Sequence, residues 1–534
     1  MAEGQDEQSI SAECANITNL LHSEELMKDI SENSCIIDSM FDEDETIETY
    51  ETVLETKRGL KLDYQQLAVF ANNSGFIRKE TGFGEEGEER CVWRMHRFNP
   101  ISGYYYSCDE EFVYDFVINR LLKSGVNITL SPKIKGEFME TVIRLIDEDK
   151  ELPSSKVFRQ YEKYYTDGEL LPFKNGIYST RYNRFLPRTS SKIFSPPINC
   201  NFDPSILDNT GYEQYFLDMV CGNRCALEYL FELIGYTLFA SEMTIVPTYL
   251  VLYGSGSNGK SVVLDLMSRA IGEKNISRIS LEQMTEDRFL TQCEGKLANI
   301  VIDAGTGYRE SAFKSVSKVA GFMKTASDGE PWAFKPLYKD IRNGFACRKF
   351  VFASNNYLNF GDSSDGTIRR FHAIPFENTF KDSAKMKNIF DSEECLQWFV
   401  MRALVSYLVF VNRAMKGEQY TSGVKKQTGK YLLCEMGGGK KADSIANSNA
   451  LYDFMKNDLN LDILDVEDVR KALLNMTFEE DFYHDCNNYC IETNRNKISL
   501  NKMNADLLKY KVCCRRITQR EGINTFKRYV LKEL

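Results

Sequence analysis

Val251-Leu-Tyr-Gly-Ser-Gly-Ser-Asn-Gly-Lys-Ser-Val-Val-Leu-Asp-Leu-Met267 decides how this chain is read. The stretch begins inside a short apolar run, Tyr249–Tyr253, which follows Pro247 and reads as a buried strand. It breaks at Gly254, Gly256 and Gly259, then resumes from Ser261 with helical apolar spacing. The pattern Gly254-x4-Gly259-Lys260-Ser261 is that of a phosphate-binding loop. Glycines let the backbone curl until its N–H groups face a polyphosphate, and the helix that follows turns its positive end toward the same place. Gly254, Ser255, Gly256, Ser257, Asn258, Gly259, Lys260, Ser261 and Val262 therefore form the candidate cradle. Lys260 is placed to reach the β/γ-phosphates and Ser261 to hold Mg²⁺.

Working outward, the chain has 534 residues, 43% of them hydrophobic, enough for several domains with sizeable cores. No apolar run is expected to span a membrane. The nearest, Ala403 to Val411, is too short and is flanked by Arg402 and Arg413. No basic segment followed by an apolar run opens the chain, so no secretory signal is expected. Fifteen cysteines lie scattered without a framework, which suits a reducing cytoplasm. The formal net charge of −11 conceals a division. Residues 1–56 hold sixteen Asp/Glu against one Lys, a net of −15, leaving +4 for the rest. The acidic total is thus no argument against nucleic acid.

Five regions follow from the pattern. Residues 1–57 are expected to form an acidic, mostly disordered arm with a short helix near Ile17–Ile30. That arm is either a solvated tail or a mimic of nucleic acid. Residues 58–240 read as a mixed α+β domain, with a hairpin at Arg94–Tyr106 turning on Asn99-Pro-Ile-Ser-Gly103. Residues 241–385 read as the nucleotide domain. Residues 386–445 read as a helical segment followed by a Gly/Lys linker at Met436–Ala442. Residues 446–534 form a small terminal domain whose last 40 residues hold eleven Lys/Arg against three Asp/Glu.

Within the nucleotide domain, Leu297–Asp303 reads as a second buried strand, ending in a carboxylate, and Arg348–Asn356 as a third, ending in an amide. Asp303 follows Lys260 by 43 residues and Asn355 follows Asp303 by 52. Strands alternating with helices argue a parallel sheet with its ligand at the strands' C-terminal ends. A carboxylate there binds Mg²⁺, giving Ser261 and Asp303 as metal ligands. Asn355 can orient an attacking water, and Arg369 and Arg370 can offset charge that grows during phosphoryl transfer.

As a set, these motifs resemble the superfamily 3 helicases of the AAA+ class, in the phage, plasmid and poxvirus-type primase–helicase family. Gly254–Ser261, Asp303, Ser354-Asn355 and Arg369-Arg370-Phe371 with Pro375-Phe376 match its motifs in order. Arg97–Tyr104 and Phe173-Lys-Asn-Gly176 look like the domain that precedes its ATPase. Phe482–Tyr489 with Ser499 and Arg515-Arg516 looks like its C-terminal winged helix. The implied fold is α/β: an AAA+ P-loop ATPase core between an α+β N-terminal domain and a winged-helix-like C-terminal domain. The implied activity is ATP- and Mg²⁺-dependent DNA unwinding by a homo-hexameric ring, in a bacterial host's cytoplasm or a viral replication compartment. In such rings Arg369 or Arg370 reaches the neighbour's nucleotide. A hairpin spanning Trp332–Asn343 enters the channel, with Lys335 and Lys339 on DNA phosphate, while Arg515 and Arg516 meet duplex. The partners the resemblance implies are DNA and, as an option, a separate primase or other replication protein; no membrane is expected.

One position departs from the family. Its usual Glu after the second-motif Asp is Ala304 here, with Glu310 nearby. That Glu would polarise the attacking water. Either hydrolysis is slow, or the base comes from elsewhere, or Ala304 is itself a substitution. Slow turnover gives a second reading, a nucleotide-gated ring that loads or clamps replication proteins on DNA. No primase site is expected, because the only histidines are His22, His96, His372 and His484 and no acidic strand accompanies them. Cys221, Cys225, Cys486 and Cys490 read as small buried thiols rather than zinc ligands.

Overall fold

The computed structural model describes all of the chain except residues 1, 42–51, 57–58, 81–92, 127–130, 147–151, 153–154, 167–168, 195, 240–246, 255, 305–312, 337–340, 356–357, 359–364, 381–383, 416–449, 464, 476–481, 494–496, 508–509, 522–523 and 534. At its centre is a five-stranded sheet of β1 (Tyr249–Tyr253), β2 (Ile276–Ser277), β3 (Ala298–Val301), β4 (Lys349–Ser354) and β5 (Phe371–Pro375). Its spatial order is β2-β3-β4-β1-β5, and every pairing is parallel. The strand leading to the phosphate loop is therefore flanked by β4 and β5, and β4 separates it from the strand leading to Asp303.

Successive side chains of a strand point to opposite faces, and the sheet sorts them accordingly. Leu250 and Leu252 enter one core together with Ile300, Val351 and Ile374. Tyr249, Val251 and Tyr253 enter another with Phe350, Phe352 and Phe371. Both faces are buried, so the strands read as continuous apolar runs rather than alternating ones.

The first core holds the helix after the phosphate loop (Lys260–Ile271), Arg224–Phe239 and Glu393–Met415. It also takes in Leu171, Phe173, Tyr178 and Phe185 from the hairpins before residue 190. One core thus crosses the boundaries expected at 240/241 and 385/386. The second core is covered by Phe313–Asp328 and by a two-stranded antiparallel hairpin, Trp332–Phe334 with Arg342–Gly344. Separate clusters hold residues 62–146 and 451–514. The latter has helices Val466–Asn475, Phe482–Glu492 and Leu500–Leu507, followed by antiparallel strands Val512–Glu521 and Asn524–Glu533.

Three expectations are corrected. The N-terminal segment is not a disordered arm over residues 2–41: helices α1 (Ala2–Leu21) and α2 (Glu24–Asn33) are docked. Ile17, Leu21 and Leu26 are buried in the first core. Carboxylates of the two helices find cations far along the chain: Glu13 pairs with Arg413 at 2.5 Å and Asp29 with Arg184 at 2.8 Å. Ile37–Asp38 then joins Arg188–Thr189 as a parallel pair. The acidic peak after Phe41 and the linker Met436–Ala442 lie outside the described residues.

The second correction concerns length. Glu393–Arg413 is long and apolar enough to cross a membrane, but 89% of it is buried inside the protein. Arg402 does not interrupt it, because its guanidinium is buried against Glu228 and bonds Ser406 Oγ at 2.7 Å. The third is local: Cys221 is exposed in a left-handed turn (φ 56°), whereas Cys486 and Cys490 are buried.

Candidate active site

The C-terminal ends of β1, β3, β4 and β5 converge on one rim, which fixes the candidate site. The phosphate loop leaves β1 at Gly254 and is held by hydrogen bonds to the rest of the protein. Gly254 N–H donates to Ser354 O at 3.3 Å, and Phe376 N–H donates to Tyr253 O at 2.6 Å. Asn258 Nδ2 donates to Phe376 O at 2.7 Å, and Phe380 N–H to Ser257 O at 2.8 Å. The loop is thus stitched to the ends of β4 and β5.

Its glycines have separate reasons. A Cβ on Gly254 would meet Asn258 Nδ2 at 1.9 Å and Phe376 O at 2.2 Å, so no side chain fits. Gly259 caps the following helix in the left-handed region, φ 91°, which favours glycine.

Lys260 is buried at the start of that helix, with 5% of its surface exposed. Its Nζ donates to Gly254 O at 2.7 Å and to Asn258 Oδ1 at 2.8 Å. Neither partner carries a charge. Burial pushes the ammonium below the ordinary lysine range, and the Asp303 carboxylate acts against that shift. A buried cation held by neutral oxygens is set to receive an anion.

A cavity of about 650 Å³ opens over the loop. It is lined by the loop from Gly256 to Val262, by Ile302 and Asp303 beyond β3, and by Ser354 and Asn355 at the end of β4. The structure therefore brings together Lys260, Ser261, Asp303 and Asn355. Ser261, Asp303 and Asn355 are solvent-exposed. Sequence reasoning missed the other wall, Met219, Asp265, Phe380, Phe390 and Asp391. These come from helices and a loop scattered through the chain, and no motif marks them. Asp265 is held above the ordinary carboxylate range, first by burial and then by Asp391, with Arg269 acting against both. Three carboxylates against one lysine make the cavity net acidic, so a polyphosphate entering it must bring cations. The hydroxyl of Ser261 and the carboxylate of Asp303 are the oxygen donors a hard divalent ion takes.

Other expected residues lie elsewhere or outside the description. Arg370 does not line the cavity. It is 4% exposed, and its Nη2 donates to both oxygens of Asp328, at 2.6 and 2.7 Å. The side chain of Arg369 and the whole of Ser255, Glu310 and Lys339 lie outside the described residues. Lys335 is exposed just after the first strand of the Trp332–Gly344 hairpin. Ala304 is buried and its N–H donates to Ala353 O at 2.9 Å, so the backbone there belongs to the sheet rim. Arg515 and Arg516 are exposed on the terminal two-stranded sheet.

Comparison with known proteins gives three findings. A family described as of unknown function, DUF5906, matches residues 252–370, which run from β1 to the arginine pair. Protein 121R of Invertebrate iridescent virus 3 is 23% identical over 217 residues, and protein L207/L206 of Acanthamoeba polyphaga mimivirus is 24% identical over 217 residues. Both carry the word helicase in their names. The matches cover 40% of this chain but only 23% and 22% of those relatives. Among solved structures, the apo NrS-1 C terminal region (305-718) aligns over 85% of this chain and 87% of its own, at 13% identity and a TM-score of 0.41. A likeness that faint carries no argument about function.

Proposed function

We propose that this chain is an ATP-dependent DNA helicase of the superfamily 3 AAA+ class, serving DNA replication in a phage, mobile element or DNA virus. The observation that carries the reading is Lys260, a buried ammonium whose hydrogen bonds end on Gly254 O and Asn258 Oδ1, in a loop tied to the sheet rim. The helicase-named viral relatives agree with it over the region they cover.

In this reading the loop N–H groups and Lys260 bind the β/γ-phosphates of ATP, while Ser261 and Asp303 hold Mg²⁺. The metal supplies charge neutralisation on the transferring phosphoryl group. Asn355, exposed at the tip of β4, orients the water. Arg369 is the residue that reaches a neighbouring subunit's nucleotide, since Arg370 is turned inward onto Asp328. Subunits form a homo-hexameric ring. The Trp332–Gly344 hairpin, with Lys335 and Lys339, grips single-stranded DNA in its channel. The terminal region acts as a winged helix whose Arg515 and Arg516 meet duplex.

Ala304 favours a second reading, a ring that clamps or loads replication proteins with little turnover. The two separate on unwinding of a forked duplex with ATP, comparing the chain with Ala304→Glu. Loss of a general base typically slows a reaction by roughly 10²- to 10⁴-fold. Ala304→Glu is therefore expected to raise phosphate release, with single-stranded DNA present, by at least about tenfold. A chain that binds ATP and DNA yet unwinds nothing in either form supports the clamp. Turnover of several ATP per second without the substitution places the base elsewhere.

A further inference from the structure

Arg370 is absent from the cavity wall because it ties two other elements together. Asp328 is the last residue of the helix Phe313–Asp328, and the first strand of the hairpin begins at Trp332. Trp332 packs edge-on against Phe322 of that helix, with ring centroids 5.2 Å apart, so helix and hairpin are packed together. Arg370 ends the helix Asp365–Arg370 and precedes Phe371, the first residue of β5. β5 pairs with the strand that feeds the phosphate loop, Tyr249 opposite Phe371. The guanidinium bridges both oxygens of Asp328 and its Nη1 donates to Gly366 O at 2.5 Å. Asp328 is 38% exposed and Arg370 4%.

We infer that the Asp328–Arg370 ion pair couples the nucleotide cradle to the hairpin, with Arg370 acting as a positioning residue. The inference rests on the reading of the preceding subsection. The route is short and physical: phosphate loop, β1, β5, Arg370, Asp328, hairpin. A hairpin that shifts relative to the sheet must carry Arg370 with it or break the pair. The pair joins a buried guanidinium to an exposed carboxylate, and the hairpin's position relative to the sheet decides whether it is made or broken.

Coupling between two sites is reciprocal, so it can be read on either ligand. The full chain is titrated with labelled single-stranded DNA, with and without a non-hydrolysable ATP analogue and Mg²⁺, and the ratio of the two Kd values is taken. The unmodified chain is expected to show a ratio of roughly 5- to 150-fold, the usual span of such couplings. Asp328→Asn is expected to bring the ratio to one while leaving analogue affinity without DNA, and DNA affinity without analogue, unchanged. The charge swap Asp328→Arg with Arg370→Asp is expected to restore the ratio in part, which a loss of stability alone would not produce. If Asp328→Asn does not fold, the same readout is taken on Asp328→Glu, which keeps the charge but moves its oxygens, with a reduced ratio expected. An Asp328→Asn chain that keeps the full ratio, or an Asp328→Glu chain measured in its place that does so, overturns the inference, as does an unmodified chain that binds both ligands with a ratio of one. An unmodified chain that binds no ATP analogue overturns the helicase reading instead.

Discussion

The docked N-terminal helices and the phosphate loop both bury charge, and they treat it in opposite ways. Against α1 and α2, cations meet carboxylates: the buried Arg413 meets Glu13, and the partly exposed Arg184 meets the buried Asp29 and Glu25 at the surface. Arg402, in the same core, meets Glu228. At the phosphate loop, Lys260 is equally buried but its two hydrogen bonds end on a backbone carbonyl and an amide. Balanced burial holds the fold together, because removing either partner strands the other. Unbalanced burial costs stability and is retained where a ligand supplies the missing charge.

The comparison can be broken first at its structural end. Arg184→Ala leaves Asp29, itself 4% exposed, buried without its main partner. Removing one member of a buried pair costs about 3–5 kcal/mol, and the low end applies because Arg184 is partly exposed. The expected result is a clear fall in the denaturant midpoint, together with faster proteolysis of residues 2–41. An unchanged midpoint would mean that the pair contributes little and that apolar packing alone docks the segment.

A third environment sharpens the contrast, since Arg515 and Arg516 are exposed rather than buried. Neutralising both is expected to weaken duplex binding and to flatten its salt dependence by a log–log slope of about 2, near one unit for each phosphate no longer neutralised. ATP affinity stays where it was. Titration of duplex at several salt concentrations checks this, and a change in ATP affinity instead would assign these residues to an interface.

The smallest effect belongs to Glu232, a carboxylate buried within Arg224–Phe239. Burial holds it well above the ordinary carboxylate range, Glu228 raises it further, and Arg413 acts against both. The folded form therefore keeps a proton that the unfolded form has lost above the ordinary carboxylate pKa. Stability from this group is present at low pH and falls as pH rises toward its folded pKa. Glu232→Gln is expected to raise the unfolding midpoint modestly at neutral pH and to flatten its decline with pH. An identical pH profile in the variant would mean that Glu232 is ionised and paired in the folded state.

The phosphate loop, Asp303 and Asn355 were legible in the sequence because each sits at the end of a short apolar run, and the chemistry there needs few residue types. Much of what surrounds them was not. Ile276–Ser277 is too short to show a period, and Phe371–Pro375 reads only as the tail of an arginine segment. The N-terminal segment misleads because its charge, counted alone, leaves out its partners. Asp29 lies 155 residues from Arg184 and Glu13 lies 400 residues from Arg413, distances over which no local pattern reports. Ile17 and Leu21, one helical turn apart, were the available hint that the segment packs. The inward turn of Arg370 was hidden for the same reason, since Asp328 lies 42 residues before it.

The central claim is that Lys260, buried and hydrogen-bonded to two neutral oxygens with the Asp303 carboxylate acting on its charge, is placed to bind a nucleotide's phosphates. Equilibrium binding of a fluorescent ATP analogue with Mg²⁺, measured on the unmodified chain and on Lys260→Ala, tests it most directly. Lys260→Ala removes a cation that costs stability when no ligand is bound, so the variant is expected to fold and to unfold at an equal or higher midpoint. It is also expected to lose analogue binding by at least about a hundredfold, a loss of roughly 2.7 kcal/mol at 1.4 kcal/mol per decade. Unchanged affinity in a folded Lys260→Ala chain would contradict the account.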